Sequence, residues 1–367
     1  MIKKSILNDI ELEEFRKEFK IQPYRLKQIV YEIYNNCKIS FDEMTTLSKE
    51  FRLQLNERFD IIPFKLDKII ESGDTTKFSF LTSDGHIIES VLMFHTHDKG
   101  DHIKLNRITQ CLSTQIGCPI GCKFCVTGMM GITRNLNTNE IIGQILFANN
   151  YVANKFGKKL DGTLRKVRNV VFMGMGEPLL NYDNLMSSIQ IMLEQTKLSL
   201  SRRHITISTV GIIPGIKKLI EDKSQVRLAI SLHSADQNIR ENLIPVAKKY
   251  TLSELKDVLG DYLAKTGIRL FYEYIMIDSV TDSIQQANQL VKFIGNHDVH
   301  VNLIAYNENP ASDYKESSKD NIDNFKEVLI KNNILVTVRG SLGRESKGAC
   351  GQLGYDFLHE YNTDCNN

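Results

Sequence analysis

The chain has 367 residues, 42% hydrophobic, 25% charged and 8% aromatic, with only 7 prolines. That length and balance exclude a disordered, collagenous or low-complexity polypeptide and predict one large domain with an accessory piece, or two domains. Forty-six basic against 44 acidic residues give +2, so a nucleic-acid partner has to be held by a local patch and not by a bulk positive field.

No run of eighteen apolar residues occurs, and Asp9 interrupts the start before an apolar core can form. A cytoplasmic protein with no membrane partner is expected, acting as a monomer. Residues 1–65 read as a small module of short amphipathic helices, with Glu11 to Phe15 and Tyr24 to Tyr34 placing apolar residues at helical spacing. From 66 to 103 the pattern turns to strand, with Lys77 to Leu81, a turn at Ser83-Asp84-Gly85 and His86 to Phe94, and this stretch is expected to be a β-hairpin linker.

Beyond residue 104 short apolar runs alternate with helical stretches. Strands are expected near 106–113, 169–175, 204–210, 226–233, 269–277, 299–307 and 334–340, and helices near 139–156, 182–195, 214–221, 252–265, 283–296 and 320–332. Repeated β-then-α units of this length imply an α/β fold with a parallel sheet or a full or partial barrel, whose chemistry sits at the strands' carboxyl ends. The core is expected to run over 104–340, followed by a loop and tail at 341–367.

Seven cysteines make an odd count for a disulfide framework, and Cys111, Cys118, Cys122 and Cys125 fall within fifteen residues. In a reducing compartment such clustering points to metal. Cys118, Cys122 and Cys125 form C-x3-C-x2-C on a loop after a strand, a spacing that suits an iron–sulfur cluster and, less well, a zinc site with Cys111 as fourth ligand. Three thiolates on a four-iron cluster leave one iron open to a cofactor.

This loop, with Phe124 between its last two cysteines, resembles the radical S-adenosylmethionine (SAM) superfamily. Further stretches resemble the RlmN/Cfr family of RNA adenine methyltransferases: Cys111 ahead of Gly117-Cys118, the run Gly174-Met175-Gly176-Glu177-Pro178-Leu179, the run Ser231-Leu232-His233, and Ala349-Cys350-Gly351-Gln352-Leu353. The resemblance implies a partial (β/α)6 barrel carrying a [4Fe–4S] cluster and SAM. It implies methylation of an adenine of 23S ribosomal RNA, and of transfer RNA, with electrons from a reductant protein such as flavodoxin or ferredoxin. Pro178 matches the branch that modifies carbon 2, carbon 8 being the alternative. The family usually carries an acidic stretch before its Ala-Cys-Gly-Gln-Leu, whereas this chain has Gly343-Arg344-Glu345-Ser346-Lys347-Gly348.

An adenine ring carbon between nitrogens is electron-poor and does not attack the SAM methyl group, so a radical route is needed. The resemblance gives Cys350 the role of methyl carrier and Cys111 that of the thiol resolving a protein–RNA crosslink through a transient disulfide. It makes Glu89 the proton acceptor. Glu89 shares a strand face with Ile87, Val91 and Met93, where desolvation is expected to raise its pKa; patterning alone favours a solvated strand-edge residue, and the resemblance reverses that preference. Gly176, Glu177, Ser208, Ser231, Leu232, His233 and Asn307 all end predicted strands and, in family register, form the SAM pocket. Taken singly each reads as structural, His233 as a satisfied core histidine. Arg202-Arg203-His204, Lys158-Lys159, Arg165-Lys166 and Arg168 are candidates for RNA contact. Cys37 and Cys365 match no motif. Two rival readings remain at this point: another radical SAM enzyme, and a zinc-stabilised RNA-binding module without catalysis.

Overall fold

A computed structural model describes residues 4–7, 9–98, 103–309, 312–340 and 343–355; Cys365 and the terminal stretch expected to be a loose tail lie outside them. The chain opens with β1 (Lys4–Ser5), α1 (Asp9–Glu18), α2 (Pro23–Tyr34), α3 (Lys49–Arg58) and β2 (Phe59–Asp60), the two short strands pairing in parallel. Pro23 starts α2, where its missing N–H is no loss, and the Ser48 hydroxyl caps α3 by accepting from the Phe51 N–H at 3.3 Å. Three antiparallel strands follow, β3 (Phe64–Ser72), β4 (Thr75–Thr82) and β5 (Ile87–Asp98), and β5 pairs in turn with β6 (Ile103–Cys111).

After β6 come the two-stranded β7 (Gln115–Gly117) and β8 (Ile132–Asn135), with α4 (Val126–Met129) between them, and α5 (Thr138–Phe156). The remainder alternates: β9 (Asn169–Phe172), α6 (Tyr182–Leu193), β10 (Ile205–Thr209), α7 (Ile213–Glu221), β11 (Arg227–Ser231), α8 (Gln237–Leu243), α9 (Leu252–Thr266), β12 (Leu270–Met276), α10 (Ile284–Ile294), β13 (Val299–Ala305), α11 (Lys319–Lys331) and β14 (Leu335–Arg339). The expected strands and helices are all present, with strands ending up to three residues earlier than anticipated. Asn137, Thr251 and Ser283 open α5, α9 and α10 with reciprocal capping boxes, each worth about 1 kcal/mol.

The strands make one ten-stranded sheet in the order β14-β13-β12-β11-β10-β9-β6-β5-β4-β3. From β6 through β14 all neighbours are parallel and follow chain order, so the sheet winds one way, as an open (β/α)6 barrel does, and the carboxyl ends share one rim. On β12, Tyr272 and Tyr274 face the helices, 5.9 Å from Phe293 and 5.0 Å from Phe325 between ring centres. That alternation turns Phe271, Glu273 and Ile275 into the barrel.

In the stretch expected to be a β-hairpin linker, β4 and β5 pair as a hairpin, and with β3 they form the antiparallel wing of the barrel sheet. The ladder from β4 through β5 to β6 is continuous, and sequence patterning missed it because β3 buries only one end and carries charge along its length.

Candidate functional site

The cysteine loop begins where β7 ends, and its entry demands glycine. Gly117 has φ +75°, and a Cβ there would lie 1.9 Å from the Gly131 carbonyl, which also accepts from the Cys118 N–H at 2.6 Å. The loop is then pinned by the Lys123 N–H donating to the Leu243 carbonyl (3.0 Å) and the Cys125 N–H donating to the Cys122 carbonyl (3.1 Å). Cys118 lies close enough to Cys125, and Cys122 to both Cys118 and Cys125, for a neighbouring thiolate's charge to raise its pKa after burial has done so. Burial pushes the Cys118 thiol up to about 12 and Cys122 well above its ordinary value. Without a metal the trio stays protonated; bound metal supplies the charge that holds thiolates. Among the described residues no three His, Cys, Asp or Glu side chains close round a single ion. Soft ligands on separate corners, one per iron, are what a polynuclear iron–sulfur cluster takes, and the donor set fits that group.

Around this loop stand the strand ends expected to form the SAM pocket. Gly176, at φ +104°, passes so near Gln115 that a Cβ would meet its Cβ at 2.6 Å, and the Glu177 N–H donates to Gln115 Oε1 at 2.8 Å. The Glu177 carboxylate is buried and accepts the N–H groups of Leu179 (3.1 Å) and Val210 (2.9 Å), while burial pushes its pKa up to about 7. Its side chain is therefore occupied with structure. Ser208 and Ser231, at the ends of β10 and β11, have hydroxyls 3.3 Å apart. The His233 ring meets the Phe124 ring edge-on at 4.8 Å and accepts the Ile275 N–H on Nδ1 at 3.1 Å, so this histidine is a satisfied core residue and also a wall of the cysteine loop.

The loop bearing Cys350 leans on the cysteine loop from the other side. The Val126 N–H donates to the Gly351 carbonyl at 2.9 Å, and the Thr127 hydroxyl to the Leu353 carbonyl at 2.7 Å. Asn307, at the end of β13, donates to the Cys350 carbonyl. Cys350, Cys111, Cys125 and Asn307 line one cavity of about 710 Å³ inside the barrel; Cys118, Cys122, Glu177, Ser208, Ser231 and His233 stand outside its lining. Cys111 is free, and burial and the neighbouring Cys350 raise its pKa.

Glu89 lies on β5, buried as expected but not alone. Lys77 Nζ on the adjacent strand is 2.7 Å from its Oε1, with both side chains buried, and the Gly354 N–H donates to Oε2 at 2.7 Å. The expectation of a carboxylate governed by desolvation alone gives way to a buried ion pair, which is stable only when both partners are kept.

Four residues escaped sequence reasoning. Lys77 reads as an ordinary strand residue. Glu273, buried in the barrel, hides among aromatic residues of β12. Arg240 of α8 is fully buried, donating to the carbonyls of Ser231 (3.0 Å), Leu232 and Val210 (2.5 Å) beside Cys122; burial pulls its pKa down to about 10, so it keeps its positive charge at neutral pH. Arg344 pairs with Glu316 through both carboxylate oxygens, at 2.8 and 2.7 Å, and its only sequence signal was its odd place before Cys350.

An open (β/α)6 barrel with a three-cysteine loop after its first parallel strand defines a radical SAM enzyme, and residues 112–293 match the radical SAM superfamily. Residues 6–61 match the ribosomal RNA large subunit methyltransferase N-terminal domain. The chain is 40% identical over 359 residues to the probable dual-specificity RNA methyltransferase RlmN of Clostridium novyi (strain NT), covering 97% of this chain and 99% of that one. It is 43% identical over 350 residues to the protein of the same description from Aquifex aeolicus (strain VF5), covering 93% and 95%. A crystal structure of a radical SAM methyltransferase from Sphaerobacter thermophilus superposes with TM-score 0.86 at 36% identity, covering 95% of this chain and 97% of that one. The chain belongs to the RlmN family of radical SAM RNA methyltransferases. No helix among the described residues is long and apolar enough to cross a membrane.

Proposed function

We propose that this enzyme methylates carbon 2 of an adenine in 23S ribosomal RNA and in transfer RNA, with Cys350 as methyl carrier. The observation that carries the reading is the docking of the Cys350 loop on the cysteine loop: the Val126 to Gly351 hydrogen bond (2.9 Å) brings the carrier beside Cys125, and Cys111 lines the same cavity. Relatives at 40–43% identity bear the description dual-specificity RNA methyltransferase, which supports two kinds of RNA substrate.

Cys118, Cys122 and Cys125 hold a [4Fe–4S] cluster in this reading, and Gly176, Glu177, Ser208, Ser231, Leu232, His233 and Asn307 wall the SAM beside it. The cluster, when bound, supplies an electron drawn from a reductant protein for SAM cleavage. Cys350, its thiol first methylated by one SAM molecule with loss of the thiol proton, would present that methyl group to hydrogen abstraction when a second SAM is cleaved, and would pass the carbon to the ring from the cavity that it lines. Glu89, oriented by Lys77 and the Gly354 N–H, takes the ring proton, and Cys111 closes on Cys350 to release the product. Residues 1–65 add an RNA-binding surface. A row of arginines at the strands' amino ends adds positive charge: Arg168, Arg203 and Arg227 precede or open β9, β10 and β11, Arg107 lies on β6 beside them, and their charges together depress His204 after its burial. Lys166 and Arg202, also RNA candidates, are engaged with the Tyr34 carbonyl and Gln225.

Expression in a strain lacking its own enzyme, followed by chromatography of digested RNA against carbon-2 and carbon-8 methyladenosine standards, tests the reading. Appearance of the carbon-2 product in both RNAs is the expected result. The carbon-8 product, or none, overturns it.

A further inference from the structure

One full positive charge beside the cysteine loop has no carboxylate to balance it. Arg240 on α8 is 1% exposed. Its guanidinium donates to three backbone oxygens, those of Ser231 (3.0 Å), Leu232 and Val210 (2.5 Å), while its buried Nε has no partner. Among the described residues it makes no ion pair, and the charge that acts on it is that of Cys122. Glu177 and Arg240 hold Val210 from its two ends, the carboxylate accepting its N–H at 2.9 Å and the guanidinium donating to its carbonyl. Burial pushes the Glu177 pKa up to about 7, so at neutral pH this carboxyl supplies only part of a counter-charge.

Two contacts seat the cysteine loop against this arginine. The Lys123 N–H donates at 3.0 Å to the carbonyl of Leu243, three residues beyond Arg240 on the same helix. The Phe124 ring meets the His233 ring at 4.8 Å, and His233 follows directly on the Leu232 carbonyl that Arg240 holds. Cys122-Lys123-Phe124 therefore rests on both of the segments that Arg240 joins, α8 and the chain leaving β11.

A guanidinium is costly to bury unpaired, and carbonyl dipoles offset only part of that cost; an aliphatic side chain would fill the place without it. Sealed from solvent, Arg240 reaches no ligand by contact and acts through its field, which is strong where the dielectric is low. The cluster that Cys118, Cys122 and Cys125 fit carries net negative charge and gains one unit more on taking an electron, an equilibrium governed by the charge and burial around it.

We propose that Arg240 is the built-in counter-ion of the iron–sulfur cluster, favouring its reduced state and so setting the potential at which the reductant protein loads it. One electron passes from that reductant to the cluster, and no bond to Arg240 forms or breaks. The inference rests on the reading that Cys118, Cys122 and Cys125 hold a [4Fe–4S] cluster.

The test uses anaerobically reconstituted holoenzyme without SAM, poised with dithionite and mediator dyes at the wild-type midpoint potential, and reads the reduced cluster by electron paramagnetic resonance. Arg240→Met keeps the length and loses the charge, and is expected to lower the ratio of reduced to oxidised cluster about tenfold, a shift of about 59 mV to more negative potential. Arg240→Lys keeps the charge and loses the forked hydrogen bonds, and is expected to stay within about threefold of wild type. A merely structural role would move both variants alike. An Arg240→Met ratio within about threefold of wild type, or an Arg240→Lys ratio closer to that of Arg240→Met than to wild type, overturns the proposal. Should Arg240→Met hold no iron, Arg240→Lys decides: full iron at a ratio within about threefold of wild type supports the proposal, and any other result overturns it. Wild-type protein that takes up no cluster would instead overturn the reading of the three cysteines on which the proposal stands.

Discussion

The side-chain amide of Asn307 donates a 3.0 Å hydrogen bond to the carbonyl of Cys350. The oxygen of that same amide accepts from Nε of Arg344 at 2.8 Å, so one residue at a strand end grips the carrier loop at both of its flanks. Arg344 is anchored in turn by Glu316. The position of the thiol is thus tied to an ion pair about six residues upstream of it in the chain, in the stretch where this sequence departs from its family's acidic pattern.

Replacing Arg344 with Ala is expected to loosen the loop. The pair is partly exposed, so its loss is worth about 1 kcal/mol, or roughly fivefold in the population of undocked loop. Amide hydrogen exchange across residues 343–353, read by mass spectrometry, should accelerate by about that factor, and the charge-swapped double variant Arg344→Glu, Glu316→Arg should recover much of the protection. Equal exchange in wild type and Arg344→Ala would show that the pair does not hold the loop.

Cys118, Cys122 and Cys125 should be required together for iron. Replacing any one with Ala is expected to remove most of the iron and visible absorption from anaerobically purified protein, because a cluster with two protein ligands has lost a third of its protein anchorage. Full iron content in the Cys122→Ala variant would move the cluster elsewhere.

The two thiols of the cavity should fail differently. Cys350→Ala is expected to give no methyladenine at all, whereas Cys111→Ala should accumulate a covalent protein–RNA species visible as a retarded band on a denaturing gel. A Cys111 variant that turns over normally, with no such band, removes that thiol from product release.

His233 predicts a pH dependence of folding. Burial, with a contribution from Arg240, holds its pKa down to about 3, against about 6.5 in an unfolded chain. Above 6.5 neither state binds the proton and this residue adds no slope. Below it the unfolded chain takes up a proton that the folded chain refuses, and stability falls by up to about 1.4 kcal/mol per pH unit towards pH 3. His233→Phe leaves the Ile275 N–H without its acceptor and should cost about 1–3 kcal/mol at pH 7.5, but its deficit should shrink by pH 5. Guanidinium unfolding of iron-free protein at both pH values measures the gap, and a constant gap contradicts the argument.

The arginine row at the strands' amino ends should report on RNA affinity. Arg203→Glu is expected to weaken binding roughly three- to tenfold near 0.1 M salt and to lower the slope of log affinity against log salt by about one. Unchanged affinity and slope would take this rim out of the interface.

Much of this was legible beforehand, for identifiable reasons. Runs such as Val170 to Phe172 and Leu228 to Ile230 are apolar and continuous because their strands are covered on both faces, so they announce themselves. The cysteine loop and the Cys350 segment were legible because their residue types have few structural uses in that spacing. What stayed hidden depended on partners distant in sequence. β3 shows mostly exposed, charged positions and earns its place only by pairing with β4. α8 spans 7 residues, too short for a periodicity to stand out. Lys77 and Glu273 are charged residues in strand patterns, and only the barrel's curvature reveals that one neutralises Glu89 while the other faces the cavity.

The unbroken ladder from β3 to β6 also limits how the molecule can be taken apart. A fragment beginning at residue 104 would leave the edge of β6 bare, an invitation to aggregate, and would discard Glu89 and its counter-ion in the same cut. Grafting a different RNA-recognition module onto this catalyst therefore has to be done upstream of Phe64, since everything after that point shares the reactor's own wall.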